Sequence, residues 1–183
     1  MSTLPVLTTK RLILREISIL DLQDMYEYAV LPYVGPEAGW KPHTSIEETL
    51  NIIRMFIETN KKGDVGVWAI VDKQQGKMIG TIELYNYVNR YKAEIGYVLN
   101  PSYWGKGIVV EAGEAILQYA FNTLGLKRVE AGVFVDNHQS IRVCEKLGFK
   151  KEGVARKGYL RYDGQIFDKV VFGITDDDFK ERY

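Results

Sequence analysis

The chain has 183 residues, 46% hydrophobic and 26% charged, which is ordinary globular usage and excludes a disordered or fibrous class. At this length folding removes roughly 70% of the unfolded chain's accessible surface from water, enough to build one hydrophobic core. Lysine plus arginine equals aspartate plus glutamate at 24 each, so no net basic field exists to hold a nucleic acid, and the single cysteine, Cys144, cannot form an internal disulfide. Met1-Ser2-Thr3-Leu4-Pro5 carries no basic segment followed by an apolar run, and nowhere do the ~18 consecutive apolar residues of a membrane span occur. The expectation is a cytoplasmic protein without membrane or nucleic-acid partners.

Residues 11–16 place Leu12 and Leu14 on one face and Arg11, Ile13 and Arg15 on the other, the period of a short strand. Ser18 caps a helix whose Leu22, Met25, Tyr26, Ala29 and Val30 recur at helical spacing until Pro32, Gly35 and Pro36 stop it, and a turn-rich loop is expected up to Pro42. Ser45 and Glu48 have capping-box spacing before a second amphipathic helix with Leu50, Ile53 and Ile57 as its buried stripe. Residues 65–72, 78–87 and 92–100 read as three strands of an antiparallel meander. A longer helix begins near Gly105, turns Val109, Ala112, Ile116 and Ala120 inward and ends at Gly125. Residues 127–135 alternate as a strand, a short helix from about Ser140 stops at Gly148, and two last strands flank Asp163-Gly164, a pair suited to a tight hairpin turn. The order β α α β β β α β α β β implies a mixed sheet, and its one strong strand-helix-strand unit spans residues 92–135.

The stretch Asn100-Pro101-Ser102-Tyr103-Trp104-Gly105-Lys106-Gly107-Ile108-Val109 sits where a strand gives way to a helix. A helix start offers unpaired N–H groups and partial positive charge, so it can hold a phosphate without basic side chains, and glycines allow close approach; an ordinary turn is the plainer alternative. A dinucleotide fingerprint is excluded because its third glycine would fall at Val110, and a P-loop needs a longer glycine spacing followed by Lys and Ser or Thr. In the second stretch, Asp136-Asn137-His138-Gln139-Ser140 leading to Gly148-Phe149, Asn137 stands at a strand end where its amide can both donate to and accept from an amide-bearing ligand. Asn137 and Ser140 are also good N-cap types, so plain helix capping stands beside a functional role for each.

Taken together, Tyr103-Trp104-Gly105-Lys106-Gly107 and Asn137-His138-Gln139-Ser140 leading to Glu145-Lys146-Leu147-Gly148-Phe149 resemble the GNAT superfamily of N-acetyltransferases. The RimJ/RimL-like branch is nearest, since Lys10-Arg11-Leu12-Ile13-Leu14-Arg15, Asp163-Gly164 and Asp168 fit it too. The similarity spans residues 8–176 as one N-acetyltransferase domain. It implies an α/β GNAT fold, a mixed central β-sheet with helices on both faces and splayed central strands.

The resemblance implies acetyl-CoA as cosubstrate and no metal. Its pyrophosphate would take backbone N–H groups around Gly105, Lys106, Gly107, Ile108 and Val109, with Trp104 beside them in the cofactor site, and its pantetheine arm would pair with the backbone of Val98 and Leu99 and with Asn137 between the diverging strands. An amine then attacks the thioester, with a backbone N–H near Val98 or Leu99 as oxyanion donor. Many members of the superfamily have a tyrosine where this chain has Cys144, so the resemblance points to Ser140 as the group that protonates the leaving thiolate. Gly158 stands where some relatives have a carboxylate, which leaves Glu94, on one face with Gly96 and Val98, as the candidate base; a solvated strand glutamate, with proton loss through ordered water, is its alternative. Tyr33, Trp40 and His43, in the loop between the first two helices, and Tyr159 are candidates for the acceptor pocket, with a packing anchor as the other reading of Trp40 and a surface residue as that of His43. The expected reaction is acetylation of a primary amine, an α-amino group of a protein or peptide N-terminus or else a polyamine, amino acid or antibiotic. A homodimer is compatible with the resemblance, and a non-catalytic CoA-binding module is the alternative from another class.

Overall fold

The computed structural model describes residues 3–183. Two strands, β1 (Leu7–Thr8) and β2 (Leu12–Glu16), form an opening hairpin, and a capping box between Ser18 and Asp21 starts the 3₁₀ turn Ile19–Asp21 that runs into α1 (Leu22–Ala29). The expected loop before Pro42 contains a short helix, α2 (Gly35–Ala38), because Pro36 occupies the first turn, where its missing N–H costs nothing, and Gly39 closes it at φ 92°. Ser45 caps α3 (Ile46–Asn60) by accepting from the Glu48 N–H, but the Glu48 carboxylate turns to Thr44 instead of closing a reciprocal box.

The meander follows as β3 (Val67–Asp72), β4 (Lys77–Val88) and β5 (Lys92–Leu99). Helix α4 (Ile108–Gln118) continues into a π-helical turn, Tyr119–Thr123, before β6 (Arg128–Phe134). Helix α5 spans His138–Leu147 and starts two residues earlier than expected, because Asn137 and not Ser140 is its cap. Strands β7 (Lys150–Leu160) and β8 (Ile166–Thr175) follow, joined by a turn in which Gly164 takes φ 82° while Asp163 keeps negative φ and accepts from Arg161 and the Gln165 N–H. A last helix, α6 (Asp176–Arg182), stands on a capping box between Thr175 and Asp178.

All eight strands form one sheet in the order β1-β2-β3-β4-β5-β6-β8-β7, antiparallel throughout except for β5 against β6. One face, with Leu12, Trp68, Ile82, Leu84 and Ile95, packs on α4 and α5 through Ile108, Ala112, Ile116, Cys144 and Leu147. The other, with Val67, Ala69, Val71 and Met78, packs on α1 and α3 through Met25, Tyr28, Ala29 and Ile53. Alternation along each strand therefore sends odd and even residues into two different cores, which makes the sheet the wall between two chemically separate compartments.

Candidate active site

The one parallel junction is short. Strands β5 and β6 pair at Lys92 with Arg128, Ala93 with Val129 and Glu94 with Glu130, and then part. On its outer side β5 stays paired with β4 as far as Leu99, and β6 with β8 as far as Phe134. The inner backbone edges of residues 95–99 and 131–134 therefore face each other across a fork in mid-sheet without a strand partner. Backbone donors and acceptors in such a place call for a ligand or water.

Helix α4 begins at the open end of the β5 arm. Buried Asn100 fixes the approach: its Oδ1 accepts from the Ser102 N–H at 3.0 Å, and its Nδ2 donates to Glu27 of α1 at 3.0 Å. The Trp104 indole N–H donates to the Leu99 carbonyl at 2.9 Å, and its ring meets Tyr33 edge-on at 6.1 Å. Gly105 and Gly107 take φ values of 75° and 72°, left-handed conformations that other residues adopt only with strain. The bond from the Glu111 N–H to the Gly107 carbonyl is the first of the helix, so the N–H groups of residues 105–110 all precede it. Arg11, from the β1–β2 turn, clamps this loop: its Nη1 donates to the Lys106 carbonyl at 2.9 Å and its Nε to Glu111 at 2.6 Å. Burial works against the Glu111 charge, but hydrogen bonds from Thr9 and Arg11 hold its carboxyl below the usual range.

Across the fork, the Asn137 Oδ1 accepts from the Ser140 N–H at 3.1 Å, which leaves the two Nδ2–H donors of that amide for other partners. The Ser140 hydroxyl does not cap the helix. It lies 2.5 Å from the Tyr97 hydroxyl, which reaches over from β5 and also stands 3.8 Å from the Cys144 sulfur. Burial raises the Tyr97 phenol well above its ordinary value and pushes the Cys144 thiol up to about 11. At neutral pH this cluster is uncharged.

The opposite face is acidic and aromatic. In the β4–β5 register Glu83 stands opposite Gly96, and Tyr85 opposite Glu94. The Glu83 carboxylate lies over Gly96, 2.9 Å from where a Cβ would be, and burial raises its pKa. Glu94 belongs to the last pair before the fork. Its neighbour Glu130 is matched by Arg128 at 2.9 Å and Lys92 at 3.1 Å, whereas among the described residues neither Glu83 nor Glu94 makes an ion pair. Tyr159 packs on Phe134 at 4.8 Å and sets its hydroxyl against Gly39, where a Cβ would overlap it.

The expected pocket residues separate. Tyr33 is half exposed and Tyr159 lies beside the fork, but Trp40 packs over Gly35 and against His43 at 5.2 Å. His43 is only 8% exposed, with its Nδ1 2.7 Å from the Thr49 hydroxyl and its N–H donating to the Ala29 carbonyl at 2.8 Å. Burial lowers its pKa, which keeps the ring neutral. Three residues to which the sequence reading gave no role in the site, Arg11, Glu83 and Tyr97, join Ser140 and Glu94 around the fork and the loop of Gly105 and Gly107. Gly96 was the available signal for Glu83, since glycine inside a strand marks a close approach.

The fork and the glycine-bounded helix start agree with the match of residues 11–150 to the family of acetyltransferase (GNAT) domains. The chain belongs to the GNAT family. As such it is an acetyl-CoA-dependent N-acetyltransferase. It is 34% identical over 93% of its length to YoaA, an N-acetyltransferase of Bacillus subtilis, 97% of which is covered. It is 28% identical over 94% of its length to the ribosomal protein uS5-alanine N-acetyltransferase of Escherichia coli, 92% of which is covered, consistent with the RimJ-like branch. The crystal structure of a GNAT-family acetyltransferase from Bacillus anthracis superposes with a TM-score of 0.84 at 25% identity, covering 94% of this chain and 99% of that one. Among the described residues no helix is long and apolar enough to cross a membrane.

Proposed function

We propose that this GNAT enzyme, a cytoplasmic one-domain protein over residues 8–176, acetylates an α-amino group, that of a protein or peptide N-terminus. The two arms of the fork supply the unpaired backbone that the amides of a pantetheine chain require, and the N–H groups from Gly105 to Val109 supply the donors for its pyrophosphate. This donor set fits acetyl-CoA, whose thioester provides the activated acetyl group. Val98 and Leu99 on one arm and Asn137 on the other hold the chain between them, and Trp104 fixes the Leu99 end. Ser140 gives its proton to the leaving thiolate, and Glu94 receives the proton that the amine loses.

The observation that carries the choice of amine is the burial of His43. Its ring is buried with Nδ1 tied to Thr49, so it is not a free imidazole, and Glu83 and Glu94 are the bases on the acceptor face. A carboxylate is a weak base for a lysine-type amine of pKa ~10.4, neutral roughly once in 2,500 molecules at pH 7, but adequate for an α-amine of pKa ~7.7 to 8.0, about a tenth to a sixth of which is already neutral. The similarity to an alanine N-acetyltransferase of a ribosomal protein supports the same class. A second reading rests on Glu83 and Glu94, two carboxylates without a cation, which would also suit a small polyamine. Tyr33 and Tyr159 border the acceptor in either case, with Trp40 and His43 shaping the loop behind them. Thiol release from acetyl-CoA, screened against N-terminal peptides, polyamines, amino acids and aminoglycosides, tests the choice: peptides blocked at the α-amine must lose all activity, and faster turnover of a polyamine would replace the first reading by the second.

A further inference from the structure

Tyr97 belongs to the unpaired arm of β5, yet its ring crosses the fork to α5. Its hydroxyl is 2.5 Å from the Ser140 Oγ and 3.3 Å from the Ser140 carbonyl. The Tyr97 O–H has one proton and two acceptors in reach, the Oγ and the carbonyl of Ser140. The Oγ contact is the shorter and takes the proton, and the direction of that bond also follows from the chemistry of the two hydroxyls. The phenol is much the stronger acid and the aliphatic oxygen the better acceptor, so the Tyr97 O–H donates to the Ser140 Oγ. Burial keeps the phenol protonated, and the Cys144 thiol 3.8 Å away is neutral as well, so neither presents an anion that would draw the serine proton inward. The Ser140 N–H is taken up by Asn137, which fixes the residue on its helix. With one lone pair of Oγ occupied by Tyr97, the serine's own proton has to point away from the phenol.

We infer that Tyr97 is a positioning residue for acetyl transfer, holding the Ser140 hydroxyl as a donor toward the leaving group and stabilising its oxygen as the proton departs. The inference rests on the reading of Ser140 as proton donor. In the step itself the Ser140 O–H bond breaks and its proton joins the departing thiolate as an S–H bond, leaving the electron pair on Oγ. Tyr97 keeps its proton, and its hydrogen bond becomes a charge-assisted one, roughly twice as strong as the neutral form. Ser140 is restored by the proton that Glu94 takes from the attacking amine and passes on through solvent, which also returns Glu94 to its charged form.

The test combines Tyr97→Phe, which keeps ring and packing and removes only the hydroxyl, with Ser140→Ala and the double variant, each followed by single-turnover acetyl transfer and by acetyl-CoA titration. Expected is a roughly tenfold slower chemical step for Tyr97→Phe, the change that 1.36 kcal/mol of barrier makes, with Kd for acetyl-CoA within twofold of wild type and no further slowing in the Ser140→Ala background. A fluorinated tyrosine at position 97, of nearly the same size and a stronger hydrogen-bond donor, keeps the wild-type rate or exceeds it where Tyr97→Phe loses it, a rescue that a packing role would not produce. Tyr97→Phe at full rate beside an impaired Ser140→Ala overturns this inference alone. Additive losses in the double variant overturn it too, and Ser140→Ala at full rate overturns the donor reading together with it.

Discussion

The two faces of the sheet meet at the same fork and present opposite chemistry. Toward α4 and α5 the groups that line the fork are uncharged, the helix-start N–H groups, the Asn137 amide and the hydroxyls of Ser140 and Tyr97, while Arg11 stands behind the loop paired with Glu111. Toward α1 and α3 they are acidic, with Glu83 and Glu94 over a floor made of Gly96. The first side suits an anion, which it meets with oriented backbone N–H groups beside Lys106 and Arg11; the second suits a cation. A fork whose two sides prefer opposite charges brings a negatively charged donor and a positively charged acceptor together without mixing their sites, and the alternation of residues along β5 is enough to produce the separation.

The strongest way to break the neutral side is Gly107→Val. Position 107 has φ 72°, and a β-branched residue there is strained and stands between a phosphate and the N–H groups behind it. The rise in melting temperature with acetyl-CoA, equivalent to about 2.7 kcal/mol at a hundred times Kd for the wild type, should vanish. A normal shift in the variant would place the phosphate site elsewhere.

Next in size is Ser140→Ala. General acid help is typically worth 10² to 10⁴-fold, or roughly 3 to 5 kcal/mol of barrier. Because the structure gives the cap of α5 to Asn137, removing the Ser140 hydroxyl leaves capping intact, and the loss should appear in single-turnover rate with little change in melting temperature. A chemical step within threefold of wild type would remove Ser140 from the mechanism.

Asn137→Ala is smaller and double in nature. It removes the cap, at about 1 kcal/mol of stability, and the Nδ2 donors, at about 1 kcal/mol of acetyl-CoA affinity. Calorimetry on the folded variant separates the two, and unchanged affinity with lowered stability would mean that the residue only caps.

On the acidic side, Glu83→Gln should have the smallest effect and the opposite sign. Burial raises the Glu83 pKa, so the folded state binds more protons than the unfolded one between the ordinary carboxylate pKa and the raised value. Wild-type stability therefore falls as pH climbs through that window and stays reduced above it. The Gln variant lacks this loss. Its melting temperature should exceed that of wild type near neutral pH and match it at about pH 4; a variant less stable at neutral pH would mean that the charge is satisfied by a partner.

What the sequence disclosed follows from local rules. Gly105 and Gly107 mark the start of α4 because left-handed backbone needs them, and the alternation in β3 through β6 shows which residues share a face. The capping-box spacing of Thr175 and Asp178 encodes the start of α6 just as locally. The partnership of Tyr97 with Ser140 joins residues 43 apart in the chain, one on strand β5 and the other on helix α5, and no periodicity encodes it. The burial of His43 likewise depends on Thr49 of α3 and the Ala29 carbonyl of α1, so a loop histidine with the look of a surface residue became part of a wall. Long-range register decides such cases.

The short parallel junction also carries a mechanical meaning. Five strands on one side and three on the other are joined in the sheet by only three residue pairs, Lys92 with Arg128, Ala93 with Val129 and Glu94 with Glu130. This seam is a line along which the molecule can breathe while each half keeps its own ladder. Amide hydrogen exchange would register it as rapid exchange at inner-edge N–H groups of residues 95–99 and 131–134, beside slow exchange at the outer edges of the same strands. An elongated ligand seated between the arms would act as a ninth strand, closing the seam and slowing exchange on both sides of it together.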